Sequence, residues 1–83
     1  MAAYQEILAR ICEILEPYAQ QGYTISETTE LVMELGLSSL QVMEMIERLE
    51  DDFDVSIPLN ILPEVRSVRD LGRQLERLTN PRS

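Results

Sequence analysis

Two adjacent serines, Ser38 and Ser39, sit where a turn hands over to an amphipathic run, in Leu35-Gly36-Leu37-Ser38-Ser39-Leu40. From Gln41 to Phe53 apolar and polar residues recur at helical spacing, so Ser39 is expected to project at a helix N-terminus. Free backbone N–H groups and the macrodipole favour an attached phosphate there. Ser39 is therefore a candidate attachment point; the plainer alternative is a helix N-cap, a place serines often take. A serine hydroxyl has no special reactivity alone. The chain has no histidine and one cysteine, Cys12, so Ser-His and Cys-His catalysis, an internal disulfide and a zinc cluster are all excluded. Asp52-Phe53-Asp54-Val55-Ser56 offers oxygens at alternate positions, like the start of a calcium loop. Ile57 stands where such a loop needs glycine and Pro63 where it needs glutamate, so neither a metal site nor a catalytic residue is expected.

Charge narrows the partners. Fifteen acidic residues face seven arginines and no lysine, a formal charge of -8, which opposes binding to nucleic acid or to anionic membranes. Basic protein surfaces fit better. The imbalance is concentrated: residues 1–60 carry twelve acids and two arginines, residues 61–83 three acids and five arginines. The negative field thus surrounds the serines. The lone cysteine suits a reducing compartment, and no uncharged stretch is long enough to cross a bilayer, so the expected setting is cytoplasmic and the expected state monomeric.

At 83 residues the chain is expected to form one domain over 1–83, with an ordered core at about 3–78 and a flexible tail over 79–83. Tyr4, Ile7, Leu8, Ile11, Ile14, Leu15 and Tyr18 predict a helix over about 3–19, ended or kinked near Glu16 by Pro17. Residues 20–37 form a long connection anchored by Ile25, Leu31, Val32, Leu35 and Leu37, with a helical turn possible at 30–34; Gly36 is expected at positive φ. In the next helix Val42, Met45, Ile46, Leu49 and Phe53 share one face, and Leu40, Glu44, Glu47 and Asp51 the nearly opposite one. The methionines Met33, Met43 and Met45 are read as packing, and Cys12 as a buried or half-buried apolar group. Asp54 begins the exit and Ile57-Pro58 closes it; residues 59–66 leave room for one or two helical turns. Ser67 with Asp70 reads as an N-cap before a stripe of Val68, Leu71, Leu75 and Leu78. The fold class is all-α: a small bundle of three main helices plus one short helix, with a long first loop.

From about Tyr4 to Leu78 the chain resembles the acyl carrier protein family. The resemblance rests on Leu31-Val32-Met33-Glu34-Leu35-Gly36-Leu37-Ser38-Ser39-Leu40, then Glu44, Leu49-Glu50-Asp51-Asp52-Phe53, Ile57-Pro58 and Ser67-Val68-Arg69-Asp70-Leu71. It implies an acyl-carrier-like bundle in which the serine of a Leu-Gly-x-Asp-Ser-Leu pattern bears covalent 4'-phosphopantetheine, and by register that serine is Ser39. One departure stands out: the family aspartate before the serine is Ser38 here. An acid at that place is expected to help the transferase and its metal, and Ser38 is itself a second hydroxyl.

The implied protein is a non-catalytic carrier, the substrate of a phosphopantetheinyl transferase. Its thiol-ended arm holds acyl thioesters for the enzymes of fatty-acid, polyketide-like or secondary-metabolite biosynthesis. Ser38, Leu40, Met43, Glu44, Glu47 and Asp51 are the expected partner-binding surface. There acids beside apolar side chains would steer acyl-loading and synthase enzymes with basic patches; alone, such a charge run is more often a solvated face. Two alternatives stay open: a carrier-shaped interaction module that is never modified, and a peptidyl or aminoacyl carrier.

Overall fold

The computed structural model describes residues 3–79. Among them are three α-helices, α1 (Tyr4–Leu15), α2 (Ser39–Phe53) and α3 (Val68–Thr79), and two 3-10 helices at Glu16–Tyr18 and Leu59–Glu64. The all-helical expectation holds, with the long loop between α1 and α2. Pro17 lies in the first 3-10 helix, immediately after α1, where the tighter winding needs no amide from it. The radius of gyration, 11.9 Å, is that of a closely packed chain of this length, about 12 Å.

Each helix buries the face its periodicity marks. Ile7, Ile11 and Leu15 of α1, Met45, Ile46 and Leu49 of α2, and Val68, Leu71 and Leu75 of α3 meet in one core, and Leu31, Leu37 and Ile57 come into it from the connections. Full burial of such a side chain stabilises by roughly 1.5–3 kcal/mol, before chain entropy is subtracted. Among the described helices, α1 packs most extensively against α3. Gly72 permits that approach, since a Cβ there would stand 3.1 Å from Leu8 Cδ2 and from Tyr4 Cε1. At the far end of α2, Asp54 takes a left-handed conformation, φ 54°, tolerated by Asp better than by most residues, and the Ile57 N–H donates to Glu50 Oε2 at 2.7 Å.

The long loop is held by backbone. Glu30 pairs with Ser67 in an isolated antiparallel bridge, and the Leu31 N–H donates to Arg66 O at 2.9 Å. Val68 N–H and Arg69 N–H, which the first turn of α3 leaves without helical acceptors, donate to Thr29 O and Glu27 O at 3.0 and 2.8 Å. Glu27 also accepts the Tyr4 hydroxyl at 2.9 Å and lies 3.7 Å from the Arg69 guanidinium. Burial, and then that donation to Glu27, raises the Tyr4 phenol above its ordinary pKa.

Several expectations about this loop need correction. Val32 does not lie down on the helices: it is 57% exposed. Met33 and Met43 are not packing residues, being 81% and 37% exposed, whereas Met45 is core. Met43 lies beside exposed Glu44 on the outer side of α2, and for Val32 and Met33 the physical reason is the shape of the turn at 30–37. Glu34 N–H and Leu35 N–H both return to Glu30 O, and Leu37 N–H returns to Leu31 O, so Leu31 and Leu37 point into the core and residues 32 and 33 form the outward crest. Thr79 ends α3 with its hydroxyl donating to Leu75 O at 2.9 Å; residues 80–83 of the expected tail lie outside the described residues.

Candidate functional site

Gly36 and Leu37 deliver the serines. Gly36 takes φ 69°, which few L-residues accept, and the chain turns there from the loop into the approach to α2. Leu37 is buried beside it, so the path up to Ser38 is fixed from the core side. Ser38, not Ser39, is the N-cap of α2: its Oγ accepts the Gln41 N–H at 3.2 Å, and Gln41 Oε1 accepts the Ser38 N–H at 2.9 Å. This reciprocal capping box commits the Ser38 hydroxyl to the helix. Ser39 is the first helical residue, two before the expected start at Gln41. It is exposed, and its hydroxyl makes no hydrogen bond among the described residues. The plain N-cap reading of Ser39 is thereby overturned, because its neighbour does that work.

Beside Ser39 lies a small groove of about 160 Å³, walled chiefly by Val32, Val42, Met43, Leu62 and Val65. A second groove, about 320 Å³, shares Val32 and Val65 and adds Met33, Glu30 and Arg66. Sequence reasoning gave Leu62 and Val65 no part in the site. Their one signal was an apolar segment, interrupted by Pro63, too short to build a core helix of its own.

Behind Ser39 the exposed face of α2 carries Leu40, 67% exposed, then Met43, Glu44, Glu47 and Asp51. No ion pair or hydrogen bond engages Glu44, Glu47 or Asp51 among the described residues, so their charge faces outward. Their neighbours are spent on structure: Asp52 pairs with Arg10 of α1, and Glu50 holds Ile57. Glu34, on the loop side, accepts the Tyr23 hydroxyl and the Glu30 N–H, and these bonds, the tyrosine first, hold its carboxyl below the usual range.

No trio of His, Cys, Asp or Glu side chains among the described residues is placed to hold a metal. Cys12 is half-buried in α1 and burial pushes its thiol up, which makes it a poor nucleophile. No described helix is long and apolar enough to cross a membrane. The arrangement suits one chemical task, which is to present a single unencumbered hydroxyl at a helix start beside a small apolar groove. Such a hydroxyl is open to modification, and the free N–H groups at a helix start favour a phosphate attached there.

Comparison with known proteins points the same way. The phosphopantetheine attachment site family matches residues 5–75. The acyl carrier protein of Helicobacter pylori strain J99 is 34% identical over 76 residues, covering 92% of this chain and 94% of its own. That of strain G27 is 36% identical over the same shares. The mitochondrial acyl carrier protein of Saccharomyces cerevisiae is 41% identical over 68 residues, covering 76% of this chain and 54% of its own.

Proposed function

The chain belongs to the acyl carrier protein family, as a phosphopantetheine-attachment domain and a carrier rather than an enzyme, and from that premise we propose that Ser39 is the residue that bears the arm. The observation that carries this reading is the division of labour between the two serines: Ser38 is locked into the capping box while Ser39 is exposed and unengaged. In the transfer, Ser39 Oγ forms a bond to the phosphorus that carries pantetheine in coenzyme A. The pyrophosphate P–O bond breaks with its electron pair leaving on 3',5'-ADP, and the serine proton passes to a base. With no histidine here, that base and the Mg²⁺ that neutralises the pyrophosphate belong to the transferase. When bound, the arm supplies a terminal thiol on which acyl groups are held as thioesters.

The protein's own contributions are a fixed root and an address. The capping box fixes the first turn of α2, the groove offers apolar cover next to the root, and Glu44, Glu47 and Asp51 with Leu40 and Met43 form a face that enzymes with basic docking patches find and release quickly. That acidic face favours acyl over aminoacyl cargo, within fatty-acid, polyketide-like or related secondary-metabolite synthesis. The lone Cys12 suits a reducing, cytoplasmic setting. Coexpression with a broad-specificity phosphopantetheinyl transferase, followed by weighing the intact protein, tests the assignment. Wild type should gain one phosphopantetheinyl group and Ser39→Ala none; an unmodified wild type, or a Ser39→Ala protein that still gains the group, overturns it.

A further inference from the structure

Resting on the assignment of Ser39, we propose that the loop crest Val32–Met33 is a docking element for the phosphopantetheinyl transferase, forming with Leu40 and Met43 the apolar centre of its footprint. Most of the large apolar side chains that the fold leaves exposed belong to this group: Val32, Met33, Leu40 and Met43, joined by Tyr23 and Leu59 elsewhere. They stand on two separate elements, a turn and a helix. Val32 and Met43 nevertheless wall the same groove as Ser39, and Met33 continues the surface into the second groove with Val65. The crest thus lies across the groove from the start of α2, whose first residue is the serine.

Geometry selects the occupant. Every enzyme that works on the cargo acts at the free end of a long arm, whereas the transferase alone must bring its reacting groups to Ser39 Oγ. Only it is obliged to cover whatever adjoins that atom. Chemistry agrees: Gly36 to Met43 are eight successive uncharged residues, and α2 has no acid in its first turn. Attraction at the centre of the footprint must therefore come from apolar contact. The acids Glu30 and Glu44 stand at its margins, giving the apolar core and charged rim of a specific interface, complementary to a partner with a basic border. The side chain at position 33 has no structural duty that would account for an apolar residue there, since it is the most exposed of the group.

The test is the steady-state rate of arm transfer from coenzyme A with Mg²⁺ and a broad-specificity transferase, on wild type, Met33→Gln, Met33→Glu and Met33→Leu. Met33→Gln is expected to raise KM for the carrier about tenfold, as loss of one central apolar contact does. Met33→Glu should raise it further and Met33→Leu should match wild type, with kcat little changed and melting temperature unchanged in all. Equal kcat/KM across the four proteins overturns the inference. So does a change in sedimentation with no change in rate, which would make the crest a contact between two copies of this chain. An unmodified wild type brings down the Ser39 assignment and this inference together, and is distinguishable because it appears before any substitution.

Discussion

The seam between residues 27–31 and 66–70 and the start of α2 are both junctions of loop and helix, yet they are finished in opposite ways. At the seam polar groups are satisfied inside the molecule: loop carbonyls take the free N–H groups of α3, Asp70 accepts from the Arg66 and Ser67 amides, and Thr29 is buried with its hydroxyl accepting the Ser26 N–H. At α2 only the cap is closed, by Ser38 and Gln41, while the Ser39 hydroxyl is left unengaged and Val32, Met33 and Leu40 face solvent. Among the described residues a backbone bond joins the two regions, Leu37 N–H to Leu31 O at 3.1 Å. The contrast shows how so small a core can hold a bare site in place. Hydrogen bonds are concentrated next to the site, and within the site Ser38 carries the structural duty that leaves Ser39 unengaged.

If that division is real, the largest effect should follow from breaking the anchor. Leu31 is a loop residue that is 1% exposed, and Leu31→Ala is expected to cost about 2–5 kcal/mol, the range of a core leucine. Denaturant unfolding measures it. A loss under about 1 kcal/mol would mean that the loop floats on the helices and the seam is not an anchor.

A smaller effect, with a sign in pH, belongs to the cap of α3. Burial works to raise the Asp70 pKa, but hydrogen bonds from the Arg66 and Ser67 amides and the Ser67 hydroxyl outweigh it, and the pKa is held below its usual 3.8. A depressed folded-state value means that the group stabilises fully above the ordinary carboxylate range and loses that contribution as pH falls through it. Asp70→Ala should therefore cost about 1 kcal/mol at neutral pH, and the two proteins should converge as the solution is acidified past the depressed value. Thermal melts across that range decide it; a gap that stays constant into strong acid would show that the charge of Asp70 contributes nothing.

What was legible in the sequence divides along the same line. The apolar stripes of α1, α2 and α3 and the Ser67–Asp70 cap were readable, because side-chain period and capping chemistry are local, and so was the positive φ of Gly36. The seam was not readable: it is made largely of backbone donors and acceptors, which carry no residue signature. Val32 and Met33 were misread for a related reason. Apolar type argues for burial only where the chain has a face to turn inward, and a turn whose amides return to Glu30 O has a crest as well. The exchange of roles between Ser38 and Ser39 was one residue beyond what periodicity resolves, and Gln41 at the third helical position was the signal that could have placed the cap.

The smallest stability effect and the sharpest separation of the two regions come from putting the family aspartate back. Asp and Ser cap helices about equally well, and the Gln41 side chain would still accept the amide of residue 38, so Ser38→Asp should leave stability within about 0.5 kcal/mol of wild type. The Ser39 hydroxyl takes no part in the cap and should stay as exposed as before. What changes is the charge beside it: the first turn of α2, now without an acid, gains one next to the attacking oxygen. Because the family resemblance gives that acid a part in helping the transferase and its metal, arm transfer to Ser38→Asp should run faster than to wild type at matched enzyme, measured by intact mass against time. A variant that melts like wild type and is modified faster places the role of residue 38 in the encounter with the transferase. One that melts differently with an unchanged rate would confine residue 38 to its capping role and leave the transferase indifferent to a charge beside Ser39.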